Sequence, residues 1–325
     1  MTEPGRHCPL RYRTQPEDLD TPAQITADTL YVVGGLYGNP WALRALHAVA
    51  EAESRAGLPA PTLVFNGDFN WFNAEDSAFH AINTAVMQYE ATQGNVEAEL
   101  SEPAADAGCG CAYPQWIDSA TVASSNAIMT RLQDTASKEP QICRALGALP
   151  RTLTASVGEQ RIGIVHGDPD SLAGWNLAVE SMPPPGTTTE QIAHWFRAAR
   201  VDIIASTHTC LAFMQDFRID GARRLVINNG AAGMPNFRGD RRGVITRISR
   251  FPTTAESLYG TTLGPVYCDA VGVHWACPQW DAWFTAIWPE GSPAARSYIG
   301  RLRSGPAHAR SDARRLTQNT PARTT

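Results

Sequence analysis

Two apolar runs near the start of this chain stop in the same way, and that constrains the fold more than any other feature. Leu30-Tyr31-Val32-Val33 is short, β-branched and ends on Gly34-Gly35, as a buried strand does. Asn39 then suits a helix N-cap with Pro40 in the first helical position. Leu43, Leu46 and Ala50 share one face of that helix, and Gly57 suits its stop. Thr62-Leu63-Val64-Phe65 reads as a second buried strand, and Phe79, Ile82, Val86 and Tyr89 as the face of a second helix. Strand, helix, strand, helix at this spacing implies parallel βαβ units and an α/β core.

The second half is richer in strands. Residues 119 to 147 read as helical, and residues 152–157 and 161–165 as strands joined at Gly158-Glu159. A helix over 189–199 and a strand over 202–205 follow. Two further strands, 213–219 and 224–227, flank Asp220-Gly221, and residues 244–248 add another. This points to two sheets packed together with helices outside. Trp275, Trp280, Trp283, Phe284 and Trp288 crowd one late segment, the pattern of a helix packed on the core. The expected organisation is a disordered tail over 1–27, a domain over 28–303 and a disordered basic tail over 304–325.

Composition excludes several functions. The net charge of −5 gives no pull toward nucleic acid or an anionic membrane. No apolar run reaches the roughly 18 residues that cross a bilayer. The polar start lacks the apolar core of a secretory signal, so the expected location is the cytoplasm. Seven cysteines, an odd and sparse number, argue against a disulfide framework.

In an α/β sheet ligands collect at the carboxyl ends of the strands. Those ends read Gly34-Gly35-Leu36-Tyr37-Gly38-Asn39, Asn66-Gly67-Asp68, His166-Gly167-Asp168, Thr207-His208-Thr209-Cys210 and Asn228-Asn229-Gly230, with Gly94-Asn95-Val96-Glu97 after the second helix. Each alone is weak, since caps, turns and hydrogen-bonded histidines are common. Together, Asp68, Asn95, His166 and His208 make a shell for a hard-to-borderline divalent ion.

This ordered series resembles the calcineurin-like metallophosphoesterases, whose motifs run Asp-x-His-Gly-Asn, Gly-Asp, Gly-Asn-His, His-Gly and Gly-His-x-His. The resemblance covers residues 29 to 250. It implies a sandwich of two mixed β-sheets flanked by helices, and a two-metal centre that activates water for attack on phosphorus. By position it makes Asp68 the bridging carboxylate, with Asn95, His166 and His208 completing one metal's ligands. The other half departs from the pattern: Gly35 and Tyr37 stand where the family has Asp and His, and Cys210 where it has the last His. One ion is therefore expected, with a second if Tyr37 and Cys210 join Asp68; such a site suits Mn, Zn or Fe. Val96 replaces a histidine that serves the leaving group in many members, which favours phosphodiesters over monoesters. The backbone amides of Gly38 and Asn39 are candidates to face the phosphate, and Asp168 to orient a ligand histidine.

Cys109 and Cys111 admit three readings: ligands to a metal, a strained disulfide, or buried thiols in a glycine-rich loop. A cysteine nucleophile beside His166 or His208 has no local signature to support it. A dinucleotide site at Gly34–Gly38 lacks the Gly-x-Gly-x-x-Gly spacing. The expected function is metal-dependent hydrolysis of a small phosphate-ester substrate; the alternative is a degenerate relative serving as a binding or scaffold module.

Overall fold

The computed structural model describes residues 3–317. The chain begins with two 3₁₀ turns, Leu10–Tyr12 and Pro16–Leu19, then β1 (Ile25–Ala27) and β2 (Thr29–Val33). Helix α1 (Pro40–Arg55) starts where its cap requires: the Asn39 side chain accepts from the amides of Trp41 and Ala42. There follow β3 (Thr62–Asn66), α2 (Asp76–Val86), the short β4 (Glu90–Thr92), α3 (Asn95–Ser101), α4 (Ser119–Ala136) and α5 (Pro140–Gly147). The hairpin β5 (Thr152–Val157) and β6 (Gln160–Val165) turns at Gly158-Glu159. Next come α6 (Glu190–Ala199), β7 (Ile203–Ser206), and the hairpin β8 (Phe213–Ile219) with β9 (Ala222–Asn228). The chain closes with β10 (Gly243–Ser249), β11 (Ser257–Leu263), β12 (Val266–Val273), α7 (Cys277–Ile287), α8 (Pro293–Ser304), α9 (Arg310–Ala313) and β13 (Arg314–Arg315).

These strands make two mixed sheets. One has the order β1-β5-β6-β7-β9-β8-β13 and the other β11-β12-β10-β2-β3-β4. In the first, β6, β7 and β9 run parallel; in the second, β2, β3 and β4 do. Alternation sorts the core: Leu30 and Val32 of β2 belong to the inter-sheet cluster with Ile162, Ile203 and Leu225. Tyr31 and Val33 point the other way, into the layer under α1, α2, α4, α7 and α8. The result is the expected helix–sheet–sheet–helix stack, with the carboxyl ends of both parallel sets gathered at one edge.

Two expectations are corrected here. Residues 3–27 are folded, not a tail: Tyr12 and Leu19 are fully buried, and β1 adds a parallel edge strand beside β5. Tyr12 donates its hydroxyl to Glu99 at 2.5 Å, and Arg11 pairs with the same carboxylate, tying this segment to α3. Residues 304–317 are folded too. Arg315 reaches Gln215 at 2.6 Å, and Asp216 accepts from the Thr317 amide at 2.9 Å. The rest of the expected basic tail, 318–325, lies outside the described residues. A further hairpin, β11–β12, extends the second sheet beyond β10. All seven cysteines are free thiols, as their number implied.

Among the described residues, no helix is long and apolar enough to cross a membrane.

Candidate metal centre

The two sheets are stitched at the edge where the parallel strands end. Asn66, the last residue of β3, donates to the Val165 carbonyl (2.8 Å) and the Thr207 hydroxyl (2.9 Å) of the opposite sheet. Its own side-chain oxygen accepts from Thr92 of β4. Gly67 follows at φ +73°; a Cβ there would lie 2.5 Å from His166 Nδ1 and 2.6 Å from Gly94 Cα. Only glycine lets the loops after β3, β4 and β6 converge this closely.

That convergence brings the four expected ligands together. Asp68 Oδ1 lies 3.3 Å from His166 Nε2, and Asn95 Oδ1 lies 3.2 Å from the same nitrogen. One ligand atom each from Asp68, His166 and His208 fits within 4.8 Å. Asp68, Asn95, His166 and His208 are all buried. Each donor is aimed by a second contact. His166 Nδ1 donates to the Asn66 carbonyl at 2.9 Å, which leaves Nε2 to the centre. Asn95 turns its amide nitrogen to the Cys109 carbonyl at 3.1 Å, which leaves its oxygen. His208 Nε2 donates to the Cys111 carbonyl at 3.0 Å; its Nδ1 is buried with no hydrogen-bond partner among the described residues. A buried imidazole nitrogen without a partner is costly, and a ligated ion removes the cost. The donor set, one carboxylate, one amide oxygen and two imidazoles, fits a divalent ion of the Mn, Fe or Zn type.

The electrostatics agree. Burial, then the neighbouring His166, holds His208 down at about 4, so its imidazole is neutral at neutral pH. Burial disfavours charge on both His166 and Asp68, but their mutual attraction outweighs it, raising the imidazole and lowering the carboxyl. Beneath them Glu97 accepts from the Asp68 amide (2.7 Å), the Gly94 amide (3.1 Å) and Asn70. This clamp holds Asp68 in the left-handed region at φ +54°. Tyr37 and Cys210, at φ +56° and +50°, share the same conformation beside it. Strain of this kind in non-glycine residues gathers at functional sites. Burial, then Asp68, pushes Glu97 up to about 7.

The other half of the site is filled. The Tyr37 hydroxyl donates to Cys210 Sγ at 2.8 Å, and its ring stacks on Phe72. A Cβ on Gly35 would lie 2.6 Å from Tyr37 Cε2. The tyrosine ring therefore occupies the space an aspartate at 35 would need, and the two departures from the motif are one substitution in physical terms. Burial raises the Cys210 thiol up to about 12 and the Tyr37 phenol well above its usual range, so both keep their protons.

Two expected roles fall to other groups. The Gly38 amide is spent on the Phe69 carbonyl (2.7 Å) and the Asn39 amide on the Leu36 carbonyl (3.0 Å), both residues being buried, so neither faces a phosphate. Asp168 organises its own loop, accepting from Asp170 and Asn176, while the Asn66 carbonyl orients His166 in its place. Cys109 and Cys111 match the buried-thiol reading: their carbonyls aim Asn95 and His208, and the thiols form no disulfide.

Above the ligands opens a pocket of about 160 Å³. Its walls include residues the sequence reading did not single out: Trp71, Tyr113, Trp175, Tyr298 and Arg301. Trp175 braces the centre, donating to the Cys111 carbonyl at 2.8 Å with its ring edge-on to His208. These residues carry no motif; they meet only because α8 and the loops after β3, α3 and β6 fold over one strand edge.

No protein-family model and no curated protein matches the sequence. Solved structures do. The hypothetical protein PH1004 from Pyrococcus horikoshii OT3 is similar with a TM-score of 0.56 at 15% identity, over 87% of this chain and 100% of that one. A metallophosphoesterase from Sphaerobacter thermophilus aligns with a TM-score of 0.49 at 15% identity, over 86% of this chain and 100% of that one. The chain shares the fold of the Pyrococcus horikoshii protein, two mixed β-sheets flanked by helices.

Proposed function

We propose that this chain is a metal-dependent phosphoesterase holding one divalent ion through Asp68, Asn95, His166 and His208. The observation that carries the reading is the partnerless, buried Nδ1 of His208 beside the Asp68 carboxylate and a His166 imidazole whose Nδ1 is held by the Asn66 carbonyl. Bound there, the ion would lower the pKa of a water and polarise a phosphoryl oxygen. The chain's own groups then set the geometry. Glu97 fixes Asp68 through its backbone amide, the Asn66 and Cys111 carbonyls fix the two imidazoles, and the aromatic walls limit water and substrate size.

The substrate class follows from what can move a proton. Val96 lines the pocket and offers no acid. Tyr113 and Tyr298 also line it, but burial raises both phenols well above their usual range. Such groups donate hydrogen bonds without giving up a proton near neutrality. The reading therefore favours small phosphodiesters and other esters with good leaving groups over alkyl monoesters.

Asp68→Ala or His208→Ala is expected to abolish both metal retention, read by elemental analysis, and hydrolysis of bis(p-nitrophenyl) phosphate by metal-loaded protein. Full activity in either variant refutes the assignment. A second reading, a relative that binds without catalysing, is favoured by one observation: Tyr37 and Cys210 fill the other half of the site. Metal retention without hydrolysis of any mono- or diester would select it.

A further inference from the structure

Arg301 enters the pocket from α8, outside every motif of the strand ends. A guanidinium has five N–H donors. Nε donates to the Pro235 carbonyl at 3.0 Å and one Nη donates to the Cys210 carbonyl at 2.7 Å. These two bonds fix the plane of the group. They leave Nη donors with no hydrogen-bond partner, and no carboxylate pairs with the side chain among the described residues. The Tyr37 and Tyr298 phenols and the Cys210 thiol line the same pocket wall. A half-buried cation pinned by neutral carbonyls, with donors left over and no counter-ion, is built for an anion that arrives from solution. The same pocket wall carries Asp68, Asn95 and His208.

We infer that Arg301 is the anion-holding residue of this pocket, binding non-bridging oxygens of a small phosphate ester whose phosphoryl group sits between it and the Asp68–His166–His208 cluster. The substrate class rests on the phosphoesterase reading; the anion site does not. The pocket volume of about 160 Å³ suits a phosphoryl group with a small organic substituent and excludes a protein or polynucleotide chain from the site itself. The aromatic rings of Trp71, Tyr113 and Trp175 offer that substituent a flat wall.

The test uses the full chain, stripped of metal by chelation, and inorganic phosphate as the probe, titrated by calorimetry at constant ionic strength. Wild type is expected to bind phosphate. Arg301→Gln should bind it roughly 10- to 100-fold more weakly, the loss of a charge-assisted contact, with Arg301→Lys intermediate. Loss of metal binding or hydrolysis elsewhere would end the phosphoesterase reading and leave this result standing. Phosphate binding equal in wild type and Arg301→Gln, or none in wild type, overturns the inference. Because Arg301 also ties two carbonyls, Arg301→Gln could fail to fold, which circular dichroism would show. Wild-type crystals soaked in phosphate then decide: an anion within hydrogen-bond reach of the Arg301 Nη atoms supports it, and an anion elsewhere or none overturns it.

Discussion

Gly35 and Tyr37 show how a site can be rewritten by one ring. In the motif this chain resembles, both positions bear ligands. Here the Tyr37 ring lies where a Cβ on residue 35 would be, and it cannot swing away, being buried, stacked on Phe72 and hydrogen-bonded to Cys210. Gly35→Ala is therefore expected to cost about 1–3 kcal/mol, the range for overpacking a close-packed core. In a Tyr37→Ala background the same change should cost much less. Urea unfolding of the four proteins in this cycle measures the coupling, and additivity within about 0.5 kcal/mol would rule out the steric link. None of this was legible in the sequence, which displayed two unrelated departures. The four residues that converge at this edge were legible, because one Asp, one Asn and two His stand at strand ends or in the loop after a helix, in a fixed order. Arg301 and the aromatic walls were not, since nothing in a helix pattern says which cavity its polar residues border.

At the scale of elements, the sequence was readable wherever one physical cause dominated. The cap and proline that start α1, the alternation in β2, and the turns at Gly158-Glu159 and Asp220-Gly221 all stand where local chemistry put them. Reading failed where tertiary packing decides. The segment before β2 has no period, yet Tyr12 and Leu19 are buried by α3, β5 and α6, elements far along the chain. Strand β4 has three residues and strand β11 carries a bulge near Ser257–Tyr259, too short or too irregular for a period to show. The role of Asn39 separates local from functional readings. If it is only the cap of α1, with its amide nitrogen on the Gly233 carbonyl, Asn39→Ala should lower stability by about 1–2 kcal/mol. Metal affinity and hydrolysis should stay at the wild-type level. A large loss of phosphate affinity at unchanged stability would restore a phosphate-facing role to this loop.

For the whole molecule, the candidate ligands come from both sheets: Asp68 and Asn95 follow β3 and β4, whereas His166 and His208 follow β6 and β7. An ion held by all four bridges the two halves of the sandwich, and an unfolded chain offers no such cluster. Binding must then stabilise the native state by mass action, about 2.7 kcal/mol at a free-ion concentration 100 times Kd. For a domain of this size that is a rise of several degrees in Tm. The expected result is saturation at one ion per chain, with a Tm that rises with Mn or Zn, falls on chelation and ceases to respond in Asp68→Ala. The chelated wild type should stay folded, because the two hydrophobic layers and the Asn66 stitch do not depend on the ion. Binding of two ions per chain would mean that Tyr37 and Cys210 give up their hydrogen bond and their protons to ligate. A Tm indifferent to every ion tried, with none retained, would leave the unsatisfied His208 nitrogen unexplained and turn the chain into a scaffold that kept the shape of the site without its chemistry.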